Sequence, residues 1–145
     1  MKPFTFAILA IAAVTAAARP RAFSFTEPAH TTWDSVFTDA QAKNGDSLYK
    51  AQCVKCHLAN LAGGDDGSPL TGKDFNADFE GATLDQLFDQ VYSRMPPDNP
   101  KSIPREQVAD IVAYLLAQNK FPAGAKPLTE NPDQLKDIKI VFSKP

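Results

Sequence analysis

Cys53-Val54-Lys55-Cys56-His57 holds both cysteines of the 145-residue chain and one of its two histidines. Two cysteines in an exported chain ordinarily read as one disulfide, but their spacing and context argue otherwise. A redox-active C-x-x-C pair belongs where a strand runs into a helix. Here the pair closes a helical pattern and a glycine-rich loop follows. A structural zinc site takes four Cys or His ligands, and the chain offers only Cys53, Cys56, His57 and the distant His30. What remains is C-x-x-C-H, the pattern that attaches a c-type haem. Two thiols add across the two vinyl groups of the macrocycle, and the adjoining imidazole then lies under the iron as its proximal ligand. The expected cofactor is therefore one covalent haem c with its iron.

Upstream of this stretch, Thr38 caps a helix running from Asp39 to about Cys53, and Asp39 suits the positive end of the helix dipole. Ala42, Gly45, Tyr49 and Cys53 share one face. Gly45 costs about 1 kcal/mol relative to Ala in mid-helix, which points to close approach by another helix. Downstream, Leu58 to Gly72 contains four glycines, at 63, 64, 67 and 72, together with Asn60, Asp65, Asp66, Ser68 and Pro69. That composition reads as a long loop, and a loop of this length in a small domain is usually functional.

Thr83 and Gln86 have capping-box spacing and open a helix with the apolar stripe Leu84, Leu87, Phe88 and Val91. It ends before Met95-Pro96-Pro97, where the prolines remove donors and disfavour helical geometry at Met95. Ser102 and Pro104 open a last long helix to about Gln118, with Val108, Ile111, Val112, Leu115 and Leu116 at helical period. Phe121-Pro122-Ala123-Gly124 stops it. In the tail, Asn131 caps a short helix with Pro132 at its first position; Leu135, Ile138, Ile140 and Phe142 are its anchors. Strand signals are nearly absent, so the expected class is all-α.

The iron needs a sixth ligand. A lone Met is usually core filler, but Met1 belongs to the leader, and Met95 is then the sole methionine, set in a proline-bounded loop rather than on a helix face. A thioether favours reduced iron and raises its potential. Met95 is the expected ligand; His30, beside Thr31 and Trp33, is its rival.

The N-terminus reads as a signal peptide over residues 1–18. Lys2 precedes an apolar run from Phe4 to Ala18, and Ala16-Ala17-Ala18 offers small residues for cleavage. Fifteen residues fall short of the roughly 20 that span a bilayer, so no membrane span is expected after cleavage. The chain then carries 14 basic against 17 acidic residues, with no basic stripe and no interleaved aromatics of the sort that bind nucleic acid. The expected location is periplasmic, or otherwise outside the cytoplasm. Beyond the leader, residues 19–37 read as an extended lead-in, 38–125 as the one domain, and 126–145 as a tail packed on it.

Over roughly Thr38 to Phe121 the residues resemble class I c-type cytochromes carrying one haem. Gly45-x-x-x-Tyr49-x-x-x-Cys53 is similar to that family's first helix, and Ala109-Asp110-Ile111-Val112-Ala113-Tyr114-Leu115 to its last. The resemblance implies the cytochrome c fold, with three to five helices wrapped around one covalent haem and Ile111, Tyr114 and Leu115 covering Gly45 and Tyr49. Family members carry Gly-Pro-x-Leu-x-Gly after the attachment motif, where a backbone carbonyl accepts the proximal imidazole's Nδ1 proton. This chain has Gly67-Ser68-Pro69-Leu70-Thr71-Gly72, with the proline one place nearer the leucine, so Ser68 and Pro69 both remain candidates. Leu70 is implied to pack on the haem face.

Within the family, Leu70-Thr71-Gly72 with Phe75, Thr83-Leu84 with Leu87-Phe88, Met95-Pro96 and Phe121-Pro122-Ala123-Gly124 look like cytochromes associated with quinoprotein (PQQ) dehydrogenases. That likeness makes Phe75 and Phe79 pocket walls. Pro100-Lys101-Ser102-Ile103 departs from the Pro-Gly-x-Leu of such relatives, near the ligand loop. The implied function is a one-electron carrier between a redox donor and acceptor, such as a quinoprotein dehydrogenase or an oxidase, with no catalytic residues of its own. The alternatives are a haem subunit of a larger oxidoreductase and an open-site haem enzyme such as a peroxidase.

Overall fold

The structure is a computed structural model and describes residues 30–144. The leader and the first part of the lead-in lie outside the described residues. Six helical segments follow one another: α1 (Asp39–Gln52), α2 (Val54–His57), α3 (Gly72–Phe79), α4 (Leu84–Arg94), α5 (Arg105–Gln118) and α6 (Pro132–Leu135). The expected three to five helices thus become six, because α2 and α6 are single turns and α3 forms directly after the glycine-rich loop, where the sequence alone marks no element. Two two-residue strands, β1 (His30–Thr31) and β2 (Ile138–Lys139), pair in parallel, with His30 opposite Ile138 and Thr31 opposite Lys139.

Capping residues fix where the helices begin. Thr38 Oγ1 accepts from Gln41 N–H at 3.2 Å, and Gln41 Oε1 accepts from Thr38 N–H at 3.4 Å. These bonds satisfy donors that a helix start leaves open. At α4, Gln86 Oε1 accepts from Thr83 N–H at 2.9 Å, while the Thr83 hydroxyl donates to Asp85. Asn131 Oδ1 accepts from Asp133 N–H at 3.0 Å to start α6, with Pro132 at its first position.

Helix α1 packs on α5 at the point where α1 lacks a side chain. A Cβ on Gly45 would fall on the Asp110 carbonyl oxygen and lie 2.7 Å from Tyr114 Cβ. The atoms nearest Gly45 thus belong to Asp110 and Tyr114, and the Tyr49 and Tyr114 rings stack with centroids 5.2 Å apart. Ile111 and Leu115 line, together with Tyr49, a cavity described below. Since the obstruction is backbone, the helices must separate to admit a methyl group. Gly45→Ala is therefore expected to destabilise: overpacking costs about 1–3 kcal/mol, against a gain of about 1 kcal/mol in helix propensity. A thermal melt that leaves the midpoint unchanged or higher would refute this crossing.

The core runs from α4 and α5 into the flanking segments. Phe37, Leu84, Val108, Val112, Leu116, Leu135 and Ile140 are fully buried. The lead-in and the tail meet each other and the body. Trp33 Nε1 donates to Val141 O at 2.7 Å, and Gln41 exchanges two hydrogen bonds with the Leu128 backbone. Ile140 pairs through its backbone with Gly81 and Ala82, at 2.8 Å in each direction. A row of rings, Phe79, Phe75, Phe142, Phe121 and Trp33, continues from α3 through the tail to the lead-in, with successive centroids 4.9 to 6.0 Å apart.

Candidate functional site

Cys53 ends α1, its N–H donating to Tyr49 O at 2.8 Å, and α2 adds the single turn that contains Cys56 and His57. The chain then reverses at Leu58, which has a left-handed φ of 61°. With ψ at 161° this is a region nearly reserved for glycine, and a leucine there costs about 1–3 kcal/mol. The Tyr49 hydroxyl holds the reversal by donating to Leu58 O at 2.7 Å.

The glycine-rich loop folds back under the imidazole. Gly63 N–H donates to His57 O at 3.2 Å, and Gly64 and Gly67 bridge to each other. This places the Ser68 carbonyl 2.7 Å from His57 Nδ1. A carbonyl only accepts, so Nδ1 carries the proton and Nε2 keeps a free lone pair. Of the two carbonyls left open by the sequence, Ser68 makes the bond, while Pro69 lines the cavity wall. Gly67 leaves room for the turn: a Cβ there would lie 2.7 Å from Cys56 O and 3.1 Å from His57 Nδ1.

Cys53, Cys56, His57, Pro69, Leu70, Phe75 and Met95 all line a single cavity of about 1200 Å³. Met95 arrives from the C-terminal end of α4, its N–H donating to Val91 O at 3.2 Å. Phe79 joins this lining. Leu87, Val91, Ile103, Ile111, Leu115 and Tyr49 complete the walls; their helical period marks them in the sequence only as core. His30 lies elsewhere, exposed on β1 and 3.9 Å from Asp34 Oδ2. Among the described residues, no group of three or more His, Cys, Asp or Glu is placed to hold a bare metal ion.

The donor set fits a haem. Two free, half-buried thiols stand one helical turn apart beside an oriented imidazole, at a hollow whose walls include the buried side chains of Leu87, Val91, Ile111 and Leu115. Burial, then the neighbouring Cys56, pushes the Cys53 thiol up to about 11. It therefore stays neutral at ordinary pH.

Residues 40–115 match the family described as cytochrome C oxidase, cbb3-type, subunit III. The chain is a c-type cytochrome of that family. Covalent haem c with its iron is the cytochrome's cofactor. Its fold is similar to that of a chain of the sulfane dehydrogenase SoxCD from Paracoccus pantotrophus, with a TM-score of 0.52 and 20% identity, over 74% of this cytochrome and 61% of that chain. At that identity the likeness is one of fold, and the cytochrome spans about three fifths of the other chain. No curated protein matches the cytochrome.

Tyr49 carries a pH signature. Burial first, then Cys53 and Tyr114, pushes its hydroxyl from 10 up to about 12. The folded state holds this proton more tightly than the unfolded state, so the contribution is complete below pH 10 and is lost as pH rises from 10 through about 12. Tyr49→Phe is expected to lower stability at neutral pH by about 1 kcal/mol, through loss of the bond to Leu58. It should also flatten the alkaline decline between pH 10 and 12. Denaturant melts of both proteins from pH 8 to 12 read this out, and parallel curves would overturn it.

Proposed function

We propose that this cytochrome is an exported, periplasmic one-electron carrier whose iron is held by His57 and Met95. The observation that carries this reading is the convergence, in one cavity, of both motif cysteines and His57 from the end of α1 and α2 with Met95 from the end of α4.

When bound, the haem supplies an Fe(III)/Fe(II) couple. The protein's part is to hold and insulate it. Cys53 and Cys56 fix the macrocycle through two thioethers. Ser68 keeps the His57 ring in one tautomer and orientation, which leaves Nε2 as the ligating atom. Met95 would be the second residue to hold the iron, through its thioether sulfur, which would close the metal to substrate and raise its potential. Leu70 and Phe75 would pack against the macrocycle, and with Leu87, Val91, Ile111 and Leu115 they would keep water from it. A packed enclosure of this kind changes little when one charge is added, and a small structural change keeps the barrier to electron transfer low.

The attachment pattern, which in bacteria is matured outside the cytoplasm, supports export. Among the described residues, no helix is long and apolar enough to cross a membrane. A dehydrogenase or an oxidase is the class of partner that this reading requires. The quinoprotein likeness of the Met95 and Phe121-Pro122 segments favours a quinoprotein dehydrogenase as donor.

Pyridine haemochrome spectroscopy with intact mass should find one covalent haem per chain, and a redox titration should follow a single one-electron curve. Fast carbon monoxide binding by the reduced protein would replace the carrier reading with a catalytic one.

A further inference from the structure

Charges around the cavity are unevenly distributed. Five aspartates line it, Asp66, Asp78, Asp85, Asp89 and Asp98, against two cations, Lys55 and Arg94. That excess of three acids equals the whole net charge of the chain without residues 1–18, 14 basic against 17 acidic residues. Asp66, Asp78, Asp89 and Asp98 are exposed and come from four separate segments: the glycine-rich loop, α3, α4 and the turn after Met95. Acids along one helix would be an ordinary solvated face, but these meet only at the mouth of the cavity. None of the five is held in a salt bridge among the described residues.

The same cavity points to a redox centre independently of these charges. His57 is 9% exposed and lines it, with Nδ1 taken by Ser68 and no protein partner for Nε2 among the described residues. An apolar interior with a polar, charged rim is the make-up of a docking face. The charge steers encounter, and the apolar contact excludes water.

We propose that the mouth of this cavity is the docking surface for a redox partner protein that presents lysine and arginine side chains. The inference rests on the carrier reading above and adds the chemistry of the partner's face.

The test uses the full holoprotein, reduced and mixed with either of two outer-sphere oxidants, cationic tris(phenanthroline)cobalt(III) or anionic hexacyanoferrate(III). One electron leaves the reduced protein and takes cobalt(III) to cobalt(II), or iron(III) to iron(II) in the cyanide complex; no proton or ligand is exchanged. Raising ionic strength from about 10 to about 200 mM shortens the screening length from about 30 Å to under 10 Å. The cobalt rate should then fall on the order of ten-fold, and the hexacyanoferrate rate should rise. Asp78→Lys, Asp89→Lys and Asp98→Lys together should reverse both trends. Glu106→Lys, Glu130→Lys and Asp137→Lys change the net charge equally but do not line the cavity, so they should leave the sign of both trends unchanged.

A cobalt rate indifferent to salt, or equal effects of the two triple variants, overturns the docking surface while the carrier reading stands. No electron exchange with either reagent overturns the carrier reading itself, and this inference with it. The unsubstituted protein's salt dependence decides the matter even where a triple variant does not fold.

Discussion

Cys53→Ser combined with Cys56→Ser is expected to yield a chain at the mass of the bare polypeptide, with its colour removable by acid–acetone and its helical signal largely lost. The argument is one of volume. The cavity between α1, α2, α4 and α5 measures about 1200 Å³. Empty apolar space costs roughly 24 cal/mol per Å³. Even if only a quarter of that volume behaves as a closed void, the cost is about 7 kcal/mol, within the ~5–15 kcal/mol by which a whole domain is stable. Coordination by His57 and Met95 is reversible where a thioether is not, so without Cys53 and Cys56 the macrocycle would dissociate and the hollow would collapse. Either single substitution keeps one thioether and should retain colour through extraction. Far-ultraviolet circular dichroism and intact mass report both results. A double variant that stays fully helical without bound haem would show that the core does not depend on it.

Met95→Ala is expected to retain covalent haem while losing the weak near-infrared band of an iron–sulfur bond. The reduction potential should fall on the order of 0.1–0.3 V, part of the roughly 0.8 V range that axial ligands span. The reduced variant should also bind carbon monoxide quickly, because one axial position is now free. Met95 is half-buried and caps α4 mainly through its backbone, so the fold should survive and the effect should be confined to the metal. If the unsubstituted oxidised protein already lacks the near-infrared band, the thioether is not a ligand.

Much of this arrangement is legible in the residues because local chemistry and packing agree there. Thr38 and Asp39 mark the start of α1, Thr83 and Gln86 that of α4, and Pro96 and Pro97 the end of α4. The unfavourable Gly45 implies a close neighbour, and the Asp110 carbonyl is that neighbour. What the sequence hides has physical causes. Helix α3 opens on a glycine of left-handed φ at the very end of the glycine-rich loop and has only 8 residues, so the pair Phe75 and Phe79, though at helical spacing, is too short a pattern to mark it. The choice between the Ser68 and Pro69 carbonyls turns on how the loop folds back through Gly63 and Gly67, and a shift of one place in a motif does not settle that. Strands β1 and β2 have two residues each, too few for any alternation to register.

That pairing of lead-in with tail is also a statement about order in time. Trp33 and Val141 are 108 residues apart, and closing a loop of that length costs about 4 kcal/mol in chain entropy, so the body must form before the join is favourable. Phe142 completes the stack against Phe75, which belongs to the cavity wall. Until the C-terminal segment is threaded home, that wall lacks its outer support. Phe142 thus closes from outside the part of the cavity wall that Phe75 forms from within.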